Sequence, residues 1–287
     1  MIVTRRDWML GAAAFITITP TLIHAAELPD QLAQLEKQYG GRLGVAILDT
    51  NNGKQFTHRP NERFGLCSTF KFLAAAAILH RVDQGSEQLD RQVPYTKADL
   101  IDYAPITEQH VDEGHMALGD LCAAAVELSD NTAGNLLLRT LGGPQGLTQF
   151  MRDLGDDISR MDRTEPTLNI IEPGDPRDTT TPTAMLRLME KLLIESTLSA
   201  SSRQQLQQWM LNCKTGAKRI AAGIPADWRI GDKTGTGPKG EANDVAIIWP
   251  PKRKPVLVAS YYEGPKNTPD ERNAVHAAIG RVIAKNN

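Results

Sequence analysis

Segments with strand character lie at the two ends of this chain and nearly vanish from its middle, a distribution that few folds satisfy. Residues 41–49 form a strand-like run, Asn51-Asn52-Gly53 makes a turn, and residues 55–58 form a second short strand. Strand character returns at 228–233, 244–249 and 255–262. Helical spacing dominates between them, at 70–82, 118–128, 133–141, 183–195 and 201–211, with loops as the interruptions. Helical spacing also marks both flanks, over 28–39 and 270–284. The expected fold class is therefore α/β (α+β): a five-stranded antiparallel sheet flanked by the terminal helices, interrupted by an all-helical insertion, with a cleft where the two meet. The boundaries that follow are 27–62 with 213–287 for the sheet domain and 63–212 for the helical domain.

The first 26 residues stand apart, because Arg5 and Arg6 precede an apolar stretch over 9–23 and then the small Ala25 and Ala26. This is the pattern of a cleaved export signal, which sets the periplasm as the expected location. Thr4-Arg5-Arg6-Asp7-Trp8-Met9-Leu10 resembles a twin-arginine signal, and adjacent arginines also occur in ordinary secretory signals. The apolar stretch falls short of the roughly 20 residues that span a bilayer, so no stable membrane anchor is expected. The whole chain carries 32 basic and 34 acidic residues with no long run of either sign. That balance gives neither a nucleic-acid footprint nor a surface for anionic membranes. The expected partner is a small molecule, and the expected oligomeric state is a monomer. In an oxidising compartment, Cys67, Cys122 and Cys213 can form at most one internal bridge. No His or Asn constellation can be assigned to Cys67, so it reads as a small buried hydrophobe rather than a nucleophile.

The chemistry begins at Ser68-Thr69-Phe70-Lys71, which opens an apolar helix rich in alanine. A spacing of three puts Ser68 and Lys71 on one helical face. A neutral lysine amine there can take the serine proton, while the helix N-terminus offers N–H groups and positive dipole to a developing oxyanion. By itself Ser-x-x-Lys is weak, since chance supplies about one in a chain this long. A capping serine beside a solvated lysine is the plain alternative, but Lys71 sits between Phe70 and Phe72 on a helix apolar enough for a core, where an unpartnered lysine is costly. Ser129-Asp130-Asn131, between two helices, offers a hydroxyl to shuttle a proton and an amide to hold a carbonyl, or equally a helix cap. Two Lys-Thr-Gly triplets occur. Lys214-Thr215-Gly216 lies in a turn, whereas Lys233-Thr234-Gly235 ends a strand and runs on into Thr236 and Gly237 before the next strand. The second lines a sheet edge, where an extended substrate can add by backbone bonds, with Lys233 and Thr234 placed for a carboxylate and the Thr236 N–H free for an oxyanion.

These three elements in this order resemble the class A β-lactamases and the penicillin-binding proteins. The stretch Arg163-Thr164-Glu165-Pro166-Thr167-Leu168-Asn169, ending in Asp175-Pro176-Arg177-Asp178, resembles the Ω-loop of class A enzymes (160–178 here), which transpeptidases lack. The resemblance covers essentially the whole mature chain. It implies hydrolysis of the β-lactam amide of penicillins and cephalosporins through a serine acyl-enzyme, giving antibiotic resistance with no cofactor. It implies Ser68, Lys71, Ser129 and Glu165 as catalytic residues, with either Lys71 or Glu165, acting through water, as the acylation base. Substrate binding falls to Asn131, Asn169, Lys233, Thr234, Gly235, Thr236, Arg219 and Tyr103, with Arg272 a competitor to Arg219 for the substrate carboxylate. It implies that Arg163 and Asp178 pair to hold the loop. The family's two usual disulfides are expected to be absent, because the partner positions of Cys67 and Cys122 hold Gly237 and Ala75. A zinc mechanism finds no support, since His110 and His115 are five apart and no His-Glu-x-x-His exists. Two rivals remain: a transpeptidase or carboxypeptidase acting on cell-wall peptides, and a non-catalytic sensor that β-lactams merely acylate.

Overall fold

A computed structural model describes residues 28–286, so the expected export signal lies outside the described residues. Helix α1 (Leu28–Tyr39) leads into β1 (Arg42–Asp49) and β2 (Lys54–His58), joined at the predicted turn. The other three long strands are β7 (Arg229–Thr236), β8 (Glu241–Trp249) and β9 (Val256–Glu263), followed by α8 (Pro269–Asn286). They form one antiparallel sheet in the order β2-β1-β9-β8-β7, so the two ends of the chain meet at the β1–β9 pair and β7 is left at an open edge.

The alternation of a pleated strand sorts side chains to two faces. Leu43, Val45 and Ile47 of β1, with Val258 of β9, pack with Leu32 of α1 and Ile279 and Ile283 of α8. Ala46, Leu48, Val245, Leu257 and Tyr261 point the other way, into a larger core shared with the middle of the chain. Because both faces are covered, β1 is buried from Leu43 through Asp49, which explains its nearly unbroken apolar sequence.

At the centre of that larger core stands α2 (Phe70–Asp83), buried without a break over residues 70–79. A helix apolar all round can only be interior, and α2 is enclosed by α3 (Leu118–Glu127), α4 (Asn131–Leu141) and α7 (Ala200–Leu211). The middle also holds α5 (Pro144–Asp153), α6 (Pro182–Leu193) and two small ribbons, β3 (Phe64–Gly65) with β6 (Thr179–Thr180) and β4 (Gln92–Pro94) with β5 (His115–Ala117). The ribbons correct the expectation that only loops interrupt the helices. A second correction concerns β7, which does not stop at Lys233 but continues three residues to Thr236, because Thr234, Gly235 and Thr236 pair with Asp244, Asn243 and Ala242.

Candidate active site

Ser68 sits in a single 3-10 turn, Cys67–Thr69, that runs directly into α2. Its Oγ accepts from Lys71 Nζ at 3.0 Å and donates to Glu165 Oε1 at 3.2 Å. Lys71, fully buried, also donates to the Ser129 carbonyl at 2.8 Å and to Asn131 Oδ1 at 2.6 Å, and lies 3.2 Å from Glu165 Oε1. Burial pulls its ammonium below the usual lysine range, and the Glu165 carboxylate only partly offsets this. Room for the lysine is made by Gly134 of α4, where a Cβ would lie 2.8 Å from Lys71 Cε.

The Ser129-Asp130-Asn131 junction divides its two expected jobs among its members. Asp130 is the cap of α4, accepting from the Ala133 N–H at 2.8 Å and from the Ile106 and Thr107 N–H groups at 3.0 and 2.9 Å. That frees its neighbours. Ser129 Oγ lies 3.4 Å from Lys71 Nζ and 3.1 Å from Lys233 Nζ, a hydroxyl between two amines. Asn131 Oδ1 accepts from Lys71, and its Nδ2 donates to the Asp102 carbonyl at 2.9 Å. Cys67, Tyr103 and Ser129 all have φ between 45° and 63°, left-handed values that cost energy outside glycine and that gather here around one cleft.

Across the cleft runs the open edge of β7. Gly237 N–H donates to the Glu241 carbonyl at 3.1 Å. Antiparallel pairing alternates, so the Thr236 N–H points away from β8 into the cleft. Lys233 is fully buried, and burial together with nearby Lys71 and Arg219 holds it down to about 8 against the pull of Asp232. Arg219 is only 6% exposed and donates to the Gly235 carbonyl at 2.8 Å, to the Asn243 carbonyl and to Thr236 Oγ1 at 2.6 Å. It is thus no surface cation, while Arg272 instead donates to the Asn267 carbonyl at 2.7 Å and is absent from the cleft wall. Gly235 is also absent from the wall; it serves through its carbonyl on Arg219.

The third wall is the Ω-loop. Arg163 Nε meets Asp178 Oδ2 at 2.5 Å, and Asp178 Oδ1 accepts the N–H groups of Asp162 and Arg163, closing the loop at its neck. Glu165 is 3% exposed, and Asn169 Nδ2 donates to its Oε2 at 2.6 Å. That bond fixes the amide orientation and leaves Asn169 Oδ1 buried with no partner among the described residues. The resulting cleft, about 350 Å³, is lined by Ser68, Tyr103, Ser129, Asn131, Asn169, Thr215, Arg219, Thr234 and Thr236.

The profile of the beta-lactamase enzyme family matches residues 27–286. The chain belongs to the beta-lactamase enzyme family. It is 46% identical to beta-lactamase CTX-M-8 of Citrobacter amalonaticus over 275 residues, covering 96% of this chain and 92% of the relative. It is 45% identical to beta-lactamase Toho-1 of Escherichia coli, with 90% and 89% covered. Among solved structures, an ancestral class A beta-lactamase superposes with a TM-score of 0.89 at 55% identity, over 91% of this chain and all of that one. This protein is a class A serine β-lactamase, and the five-stranded antiparallel sheet with its helices is the fold of that class.

Three residues of this β-lactamase site escaped the sequence reading. Asn135 holds Glu165 by its backbone, accepting from the Glu165 N–H at 2.9 Å and donating to the Glu165 carbonyl at 3.0 Å. It lies four residues after Asn131 on α4, so helical spacing alone could have placed it on the cleft face. Gly134 leaves no sequence signal. Thr215, from the Lys-Thr-Gly triplet set aside as a turn, reaches the cleft and meets Thr234 Oγ1 at 2.5 Å. The three cysteines are all unpaired.

Proposed function

We propose that this β-lactamase opens the lactam amide of penicillins and cephalosporins through an ester on Ser68. The observation that carries the reading is the pair of bases on one oxygen: Ser68 Oγ touches both Lys71 Nζ and Glu165 Oε1. Either can take the hydroxyl proton as Oγ attacks the lactam carbonyl, and burial helps by favouring a neutral Lys71 amine. The oxyanion is met by the N–H groups of Ser68 and Thr236. As the C–N bond breaks, Ser129 gives its proton to the lactam nitrogen and is recharged across the Lys71 and Lys233 amines. The substrate carboxylate lies against Thr234, Lys233 and Arg219, and Tyr103, 57% exposed, flanks the mouth.

Hydrolysis of the ester requires a second base and a water. Glu165 accepts a proton from a water that Asn169 Oδ1 also binds, the water oxygen bonds to the acyl carbon, and the ester oxygen leaves to recover its proton as Ser68. The unpartnered Oδ1 beside a carboxylate supports this over a transpeptidase or a sensor, for which a lasting ester is the natural state. No helix among the described residues is long and apolar enough to cross a membrane. On this reading the first 26 residues export the chain to the periplasm, where it acts as a monomer. The residues divide as 27–62 with 213–287 for the sheet domain and 63–212 for the helical domain, the latter giving Ser68, Lys71, Ser129 and Glu165, and the former Lys233 and Thr236. The test is ring-opening absorbance with excess benzylpenicillin. Many turnovers per chain, abolished by Ser68→Ala, are expected; a single stoichiometric, lasting adduct on the native enzyme would transfer the protein to the transpeptidase or sensor class.

A further inference from the structure

Behind the wall that takes the substrate carboxylate lie two buried carboxyl groups that the reaction described above does not use. On β7, Asp232 and Thr234 point to one face of the sheet and Lys233 to the other. Thr234 stands opposite Asp244 of β8, so Asp232 and Asp244 are diagonal neighbours on that face, and their carboxyl groups meet there. Asp232 is 4% exposed and Asp244 is fully buried. Residues 213–220 fold over the same face and rest on this pair. The Cys213 thiol donates to Asp232 Oδ2 at 3.4 Å, and the Ile220 N–H donates to Asp244 Oδ2 at 3.1 Å. Gly216 lies so close that a Cβ there would come within 1.9 Å of Asp232 Oδ2. Between these contacts the turn delivers two residues of the cleft wall: Thr215, against Thr234, and Arg219, whose guanidinium spans the Gly235 and Asn243 carbonyls and Thr236 Oγ1.

Two ionised carboxylates are costly side by side in a dry site unless a cation stands between them. The neighbouring cations give their hydrogen bonds elsewhere. Arg219 is committed to the acceptors just named and to Asn273 Oδ1 of α8, and Lys233 donates to Ser129 Oγ and the Thr234 carbonyl. His276 of α8 bonds to Ser260, the residue opposite Asp244 on β9, and burial holds it well below the usual histidine range, so it adds no charge. Asp244 Oδ1 is buried and meets no donor among the described residues. Beside a second carboxyl, such an oxygen is satisfied when it carries a proton and donates it. Burial favours this, holding Asp244 well above the usual carboxylate range, and the Asp232 charge adds to the effect. Burial also raises the Cys213 thiol to about 11, so it keeps the proton that it gives to Asp232.

We propose that Asp232 and Asp244 share one proton, Asp244 Oδ1–H donating to the Asp232 carboxylate, and that the pair positions the 213–220 turn so that Thr215 and Arg219 stand where the substrate carboxylate binds. Both are positioning residues, since neither lines the cleft. The effect on substrate rests on the carboxylate site proposed above, whereas the shared proton does not.

Infrared difference spectra of the native enzyme against Asp244→Asn test the proton: the carbonyl band of an un-ionised carboxylic acid is expected in the native enzyme at neutral pH and is lost in the variant. Steady-state kinetics with benzylpenicillin test the positioning. In Asp244→Asn the amide can still donate to Asp232 and its oxygen can still accept from the Ile220 N–H, whereas Asp244→Leu keeps the volume and offers neither bond. KM is expected to rise about tenfold in the leucine variant, with kcat changed less than about threefold, and to stay within about twofold of native in the asparagine variant. A native spectrum without the acid band would overturn the shared proton. Equal KM values in the two variants, or a leucine variant that loses kcat at constant KM, would overturn the positioning. If leucine is not tolerated, the asparagine variant decides alone, because a tenfold rise in its KM would equally overturn it. The infrared measurement needs no turnover, so failure of this proposal and failure of the proposed function are distinguishable.

Discussion

The two halves of the catalytic apparatus are held by different means. Lys71 and Lys233 belong to regular structure, the most buried helix and a sheet strand, while Ser68 in the turn that runs into that helix and Ser129 at the helix junction capped by Asp130 are anchored directly to it. Glu165 and Asn169 belong to a loop with a single 3-10 turn, Thr167–Asn169, and owe their position to side-chain ties at Asn135, at Arg163–Asp178 and at Lys239–Glu172. On the mechanism proposed above, with Lys71 as the acylation base, the groups that form the ester are fixed by the hydrophobic core, and those that release it by a few hydrogen bonds. Changes to the loop ties should spare acylation and slow deacylation, whereas changes to the core half should abolish both.

Ser68→Ala removes the step common to both halves, so kcat/KM should drop at least about 10⁴-fold in the ring-opening assay. Asn135→Ala tests the division more sharply, because it deletes both backbone bonds to Glu165 and leaves the Lys71 bond to Ser68 in place. Two such bonds are together worth about 2 kcal/mol, or roughly thirtyfold, and stopped-flow should find that loss in deacylation with the acylation burst retained. Equal slowing of both phases would break the comparison. Lys233 probes the core half through pH: burial sets it at about 8, so its charge is present below that pH and lost above it. The kcat/KM for a carboxylate-bearing β-lactam should therefore fall about tenfold per pH unit on the alkaline side, and Lys233→Arg should move that limb upward, since guanidinium stays charged. The smallest effect belongs to the weakest tie. Lys239 and Glu172 are about half exposed, and such pairs contribute under about 1 kcal/mol, so Lys239→Ala should change kcat by less than about fivefold.

The same contrast governs how much could be read from sequence. The sheet and the helix beginning at Phe70 were legible because they are continuous apolar runs, buried on both faces of the sheet and all round the helix, down to the open edge at Lys233-Thr234-Gly235. Helix α5 was passed over although Gly143-Pro144 opens it and Leu147, Phe150 and Met151 mark its buried face, a narrow but strongly one-sided stripe on a mostly polar segment. The two-residue strands at Phe64–Gly65 and Thr179–Thr180 are too short to carry any period. In the site, the residues proposed to perform chemistry stand in the sequence as motifs. The residues that position them do not, because Asn135 and Gly134 act through backbone contact and shape, and Thr215 reaches the cleft only by how its turn folds.

The central claim, that Glu165 on its tied loop releases an ester that the core half has formed, meets its most direct test in the intact mass of Glu165→Ala after excess benzylpenicillin. One penicilloyl group per chain, located on Ser68 and persisting while the native enzyme returns to its free mass, is the predicted result. Rapid return of the variant to its free mass would show that release does not depend on Glu165, and would contradict the account.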